Sequence, residues 1–190
     1  MRIAVLASGS GSNFEAIAQA IADKKIAGEI VLLFSDQPKA YVLERGKKFN
    51  VATAAFSLKD FDSKGDYETA LLTILQEYQV ELVVLAGYMR IVGKDLLAAF
   101  PNKIINIHPA LLPNFPGMHG IADAFNAGVA ETGVTVHYVD AGVDTGPIIA
   151  QGKVAITEED TLASLEEKIH ALEHQLYPQV INQVVQENQA

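Results

Sequence analysis

Ile3-Ala4-Val5-Leu6-Ala7-Ser8-Gly9-Ser10-Gly11-Ser12-Asn13-Phe14 is the stretch that decides the fold. The apolar run Ile3 to Ala7 reads as a buried strand. A serine- and glycine-rich turn follows, and then Phe14, Ile17, Ala18 and Ile21 recur at i, i+3, i+4 and i+7, one face of a helix. A strand, a glycine loop and a helix in that order open a parallel α/β unit. The same run after Met1-Arg2 is too short for a secretory h-region, which needs about 7–15 apolar residues, and it ends in glycine and serine.

Working outward, the alternation continues. Ile30 to Ser35, Ala52 to Phe56, Leu82 to Ala86 and Ile104 to His108 read as strands. Tyr41 to Phe49, the set Tyr67, Leu71, Ile74, Leu75 and Tyr78, and Lys94 to Phe100 read as the helices between them. Such alternation predicts a mostly parallel sheet with both faces covered, and ligands outside the carboxyl ends of its strands. After His108 the pattern changes. Pro109, Pro113, Pro116 and Gly117 mark an irregular loop. Gly133 to Tyr138 and Pro147 to Val154 are joined by a connection short enough only for an antiparallel pair, so the sheet ends in a mixed region. Leu162, Leu165, Ile169, Leu172 and Leu176 predict a long final helix, bent or broken at Pro178 and frayed beyond Val185. No linker is visible, so residues 1–190 are expected to form a single domain.

The chain has no cysteine, which removes disulfides, thiolate metal sites and a cysteine nucleophile. No apolar run approaches the ~18 residues of a membrane span. The expectation is a cytoplasmic protein with no membrane partner. A net charge of −9 argues against a nucleic-acid partner and means that anionic substrates must be drawn by local groups. Whether the chain is a monomer or a homodimer stays open.

The loop Ser8 to Asn13 lies where backbone amides and a helix N-terminus can hold a phosphate; the plain alternative is a tight turn capped by Ser12 or Asn13. The dinucleotide pattern wants glycine where Phe14 stands, although Asp36 follows the second strand where a ribose-binding acid would sit. A nicotinamide cofactor therefore stays in view, but a phosphate monoester fits better.

Asn106 and His108 are two apart on a strand and share a face, and Pro109 holds His108 extended at the strand tip. An amide donor can stabilise an oxyanion, and an imidazole beside it can donate or shuttle a proton. A neighbouring carboxylate would raise the imidazole's pKa by favouring its charged form; Asp144 is the first candidate and Asp140 the second. His119, His137, His170 and His174 read as structural histidines. No nucleophile elbow and no carboxylate cluster is present, so the chemistry expected is non-covalent acyl-type transfer without a metal.

With Leu85-Ala86-Gly87-Tyr88-Met89-Arg90-Ile91, Asn106 to Pro113, Gly142-Val143-Asp144-Thr145-Gly146-Pro147 and Glu173-His174-Gln175-Leu176-Tyr177-Pro178, the chain resembles the phosphoribosylglycinamide formyltransferases of purine synthesis, within the formyltransferase family. The likeness runs over nearly the whole chain. It implies a three-layer Rossmann-like fold with a seven-stranded sheet carrying one antiparallel strand. It implies transfer of a formyl group from 10-formyltetrahydrofolate to the amine of glycinamide ribonucleotide. Gly11, Ser12 and Asn13 would hold the ribonucleotide phosphate, and Glu173 would contact the ribonucleotide. The folate would lie along Met89, Arg90, Ile91 and Val92 and along Asp140, Ala141, Gly142, Val143 and Asp144, with Lys64 and Asn106 beside it. Asn106, His108 and Asp144 match the catalytic set. Two positions depart from the family pattern: Lys64 stands where some members carry arginine, and Gly120 stands where a larger residue is common. The rival readings are formylation of an aminoacylated initiator tRNA, hydrolysis of the formyl folate, and a non-catalytic nucleotide-binding module.

Overall fold

A computed structural model describes residues 1–188. Among the described residues, the strands are β1 (Arg2–Leu6), β2 (Glu29–Ser35), β3 (Thr53–Ala55), β4 (Leu82–Leu85), β5 (Ile104–His108), β6 (Glu131–Tyr138) and β7 (Ile148–Ala155). The helices are α1 (Ser12–Ala22), α2 (Val42–Lys48), α3 (Lys64–Glu77), α4 (Lys94–Ala99), α5 (Gly120–Asn126) and α6 (Leu162–Glu187). One seven-stranded sheet runs in the order β3-β2-β1-β4-β5-β6-β7. β1 to β5 are parallel; β6 is antiparallel to both neighbours, so it alone reverses direction. This is the expected Rossmann-like sheet with a mixed end.

Strand alternation divides the core between the two faces. Ile3, Val5, Ile105, Ile107, Val134 and Val136 pack with α1 and α6, while Ala4, Leu6, Val83, Leu85 and Ile104 pack with α3 and α4. By the same alternation Asn106, His108, Thr135 and His137 point away from α6. The order of strands reverses between β1 and β4, and the chain leaves their carboxyl ends in opposite directions. The crevice that opens there is where such sheets bind ligands.

Three local features differ from the sequence expectation. α6 is not broken at Pro178. Tyr177, Val180, Ile181, Val184 and Val185, at most 3% exposed, bind this stretch to the sheet and outweigh the one missing N–H. The helix also continues past Val185 to Glu187, while residues 189–190, expected to fray, lie outside the described residues. Finally, α5 forms in the segment after the proline-rich loop, where no helical period is evident. Among the described residues no helix is long and apolar enough to cross a membrane.

Candidate active site

The glycine loop is shaped by a close approach. Gly11 has φ of 80°, and a Cβ there would lie 2.3 Å from Val42 Cγ2. Only glycine satisfies both conditions. No side chain caps the first turn of α1, so its amides remain open to an anion. Arg45 Nε donates to the Ser10 carbonyl at 2.8 Å, and its guanidinium is also paired with Glu15. This places a cation under the loop of an otherwise acidic protein.

α6 completes this side of the crevice. Asn13 Nδ2 donates to Glu173 Oε2 at 3.4 Å, and His170 Nδ1 lies 3.0 Å from the same oxygen. Glu173 is 5% exposed. Its hydrogen bond holds the His170 imidazole above the ordinary histidine range, against an opposing effect of burial. Burial pushes His174 the other way, downward. Asn13 Oδ1 is buried without a partner, leaving an acceptor for a ligand donor. One turn beyond Glu173, the Tyr177 hydroxyl reaches the carbonyls of Leu85 at 2.7 Å and Ile105 at 3.2 Å, fixing α6 to β4 and β5.

The polar strand tip is held from three directions. His108 is 3% exposed. Its Nε2 donates to the Phe115 carbonyl at 2.7 Å, and its Nδ1 stands 3.4 Å from Asp144 Oδ2. Each ring nitrogen thus has an oxygen acceptor, so a doubly protonated ring would have a partner for both N–H groups. Asp144, with φ of 54°, and Phe115, with φ of 52°, both occupy the left-handed region, which side chains other than glycine seldom adopt. Burial by itself would raise the Asp144 carboxyl. Hydrogen bonding from His137, the Gly117 amide at 2.9 Å, and the charges of His108 and His137 hold it below its usual value instead. Asp140, the second candidate, does not reach His108. It accepts from Thr145 Oγ1 at 2.6 Å and from the Gly142 amide at 3.0 Å, and those bonds lower its pKa.

His137 belongs to this group, contrary to its reading as a structural histidine. β5 and β6 are registered with Asn106 opposite His137. Asn106 Nδ2 lies 3.3 Å from His137 Nε2, and Asp144 Oδ1 lies 3.6 Å from that nitrogen. His137 Nδ1 donates to the Tyr138 carbonyl at 2.8 Å, which turns Nε2 towards both the Asn106 amide and Asp144. The signal available in the sequence was the alternation Thr135, His137 on the returning strand; it becomes informative only once the register is known.

A cavity of about 480 Å³ opens beside this cluster. Met89, Arg90, Ile91, Val92, Asn106, His108, Asp140, Gly142, Val143 and Asp144 line it. Exposed apolar side chains of Met89, Ile91, Met118 and Val143 rim it, while the polar cluster sits in its wall. Ala141 lies between two lining residues without lining the cavity itself. Lys64 is also outside the lining; it begins α3 and pairs with Glu68 at 3.8 Å. Gly120 has a packing reason, since a Cβ there would come 3.1 Å from both His108 Nε2 and the Phe115 carbonyl. Asp36 is not free to bind a ribose: it is 1% exposed, and Ser8, Gln37 and Arg90 all donate to it.

A doubly wound α/β sheet, an uncapped helix start after β1 and an amide–imidazole–carboxylate group at the tip of β5 are parts that acyl transfer can use. The comparisons make the class specific. The family model described as formyl transferase matches residues 1–181, and the chain belongs to that family. It is 50% identical over 184 residues to phosphoribosylglycinamide formyltransferase of Bacillus subtilis (strain 168), covering 97% of this chain and 94% of that protein. It is 43% identical to the trifunctional purine biosynthetic protein adenosine-3 of Drosophila pseudoobscura pseudoobscura, over 95% of this chain and 13% of that protein. The crystal structure of phosphoribosylglycinamide formyltransferase from Bacillus halodurans superposes with a TM-score of 0.96 at 49% identity, covering 99% of this chain and 97% of that one.

Proposed function

We propose that this chain, acting as one cytoplasmic domain, transfers the formyl group of 10-formyltetrahydrofolate to the amine of glycinamide ribonucleotide in purine synthesis. The observation that carries the reading is the contact of Asp144 with His108 beside Asn106, in the wall of a cavity at the same sheet edge as the glycine loop. The names of the similar proteins support the acceptor, and membership of the family supports a folate donor.

The apolar rim suits a flat heteroaromatic ring, and the strip Met89 to Val92 offers backbone groups to its edge. The uncapped amides of Ser12 and Asn13, after Gly11, take the ribonucleotide phosphate; Glu173 and Asn13 take its polar groups. The folate supplies the formyl group. Asn106 donates to the formyl oxygen and the positive charge of His108 stabilises it as the amine attacks the carbon and negative charge gathers there. Asp144 supplies the counter-charge to the His108 imidazolium. The new carbon–nitrogen bond forms first, and collapse of the oxyanion then breaks the bond to the folate nitrogen. One proton leaves the amine and one reaches the folate nitrogen. Holding both substrates in one crevice supplies much of the acceleration. A hydrolase that only releases formate has no use for the acceptor loop or for its contact with Glu173.

The test mixes purified protein with 10-formyltetrahydrofolate, with and without glycinamide ribonucleotide, and follows tetrahydrofolate. Ribonucleotide-dependent release together with a formylated ribonucleotide is expected. Release at the same rate without the ribonucleotide would identify a hydrolase, and no release would end the reading.

A further inference from the structure

The segment from Gly87 to Val92 lines the cavity but belongs to no helix or strand. Its shape comes from contacts with other parts of the molecule: the Tyr88 hydroxyl meets that of Tyr67 at 2.6 Å, and the bonds around Met89 and Arg90 converge on one buried carboxylate. Asp36, at the end of β2, accepts from Ser8 Oγ at 2.5 Å and from Arg90 Nε at 2.8 Å. Ser8 Oγ in turn accepts from the Met89 amide at 2.8 Å, while the Ser8 amide donates to the Gly87 carbonyl at 2.9 Å. Both oxygens of Asp36 are used, and the residue is only 1% exposed. A carboxylate so buried needs hydrogen-bond partners, and two of its three, Ser8 and Arg90, lead to the segment that lines the cavity.

We infer that Asp36 is a positioning residue for the formyl donor: through Ser8 and Arg90 it holds the backbone of Met89 and Arg90 in the conformation that the folate ring meets. This rests on the donor assignment made above. Asp36 touches no substrate. One of its two links runs through Ser8, the first residue of the acceptor loop, so the donor pocket is built in part upon that loop. Tyr88 and Val92 anchor the two ends of the strip in the core, but Met89 and Ile91 between them are exposed and have no such packing; there the clamp supplies charge-assisted hydrogen bonds.

The experiment measures kcat and both KM values, direct tetrahydrofolate binding, and the thermal midpoint for wild type, Asp36→Asn, Arg90→Gln, the double variant and Ser8→Ala. Asp36→Asn is close in size but leaves the Arg90 charge without its partner. The expected result is a rise of about tenfold in the KM for 10-formyltetrahydrofolate and in the tetrahydrofolate Kd. kcat and the ribonucleotide KM should stay within about threefold. Arg90→Gln should have little further effect once Asp36 is changed, because both changes break one link. Ser8→Ala leaves the Asp36–Arg90 pair in place and gives a smaller shift in the same direction at an unchanged thermal midpoint. An unchanged donor KM, or equal rises in both KM values with a lowered midpoint, would overturn the inference. If wild type binds tetrahydrofolate but transfers nothing to the ribonucleotide, the functional reading fails while the binding comparison still decides the role of Asp36. If wild type does not bind tetrahydrofolate, both fail.

Discussion

The two sides of the crevice are built on different principles. The loop after β1 is local: Ser8 to Asn13 are neighbours in sequence, and their shape follows from glycine at Gly11 and from the start of α1. The cluster at the end of β5 is assembled from afar. His108 and Asn106 come from one strand, His137 from the returning strand, and Asp144 from the turn before β7. The first side offers backbone dipoles, which need only the right turn. The second offers side-chain charges, which need register, a left-handed aspartate and a carbonyl from the proline-rich loop. Backbone sites tolerate surrounding substitution as long as the turn survives, whereas the distant cluster fails when any one contributor is lost.

The largest expected effect breaks the assembled side. Asp144→Asn keeps the size of the side chain and removes the counter-charge of His108, and His108→Ala removes the imidazole. Each should lower kcat roughly a hundred- to a thousandfold. The circular dichroism spectrum and the acceptor KM should stay near wild type. Near-normal turnover in either variant would remove that residue from the chemistry and leave the local loop as the only supported half of the comparison.

A smaller effect tests the local side. Gly11→Ala forces a Cβ against Val42 at a positive φ, and should cost roughly 1–3 kcal/mol in denaturant unfolding. It should also raise the ribonucleotide KM more than the folate KM. An equal change in both would mean that the loop is a general support and not an acceptor site.

The smallest effect concerns His170, which pairs on α6 with the Glu173 that Asn13 contacts. Its folded-state pKa is raised by Glu173, so its contribution to stability is fully present below the unfolded value, roughly 6.5. That contribution disappears as pH rises through the higher folded value. Wild type should therefore exceed His170→Gln in denaturant midpoint at acid pH, and the two should converge above neutrality. A pH-independent gap would show that packing, and not charge, is what His170 gives to the contact.

The same contrast explains how much could be read from the sequence. Period and punctuation were enough for the elements from β1 to β5, and short spacing was enough for the antiparallel turn-back at β6. Ser8 to Asn13 and the Asn106–His108 pair stood out because glycine loops and strand tips are local patterns. His137 did not, because its place opposite Asn106 depends on a register that the residues of β6 alone do not specify. Asp36 was noticed for the wrong reason: an acid after the second strand resembles a ribose ligand, and only the fold shows its oxygens already taken by Ser8 and Arg90. Pro178 misled in the opposite direction, since the burial of Tyr177 and Val180 on either side of it overrides a local helix breaker.

The place of α6 in chain order has a consequence for synthesis. Glu173 and Tyr177 are translated after every strand of the sheet, yet one faces Asn13 and the other ties β4 to β5. A nascent chain that has not reached residue 162 therefore has its strands made but one sheet face covered only in part, with α1 in place and Leu165, Ile169 and Ile181 missing from the core. Such a chain also lacks the far wall of the pocket beside Asn13. Maturation and ligand capture are thus set in sequence by topology: the ribosome must release the last helix before the crevice can close around anything.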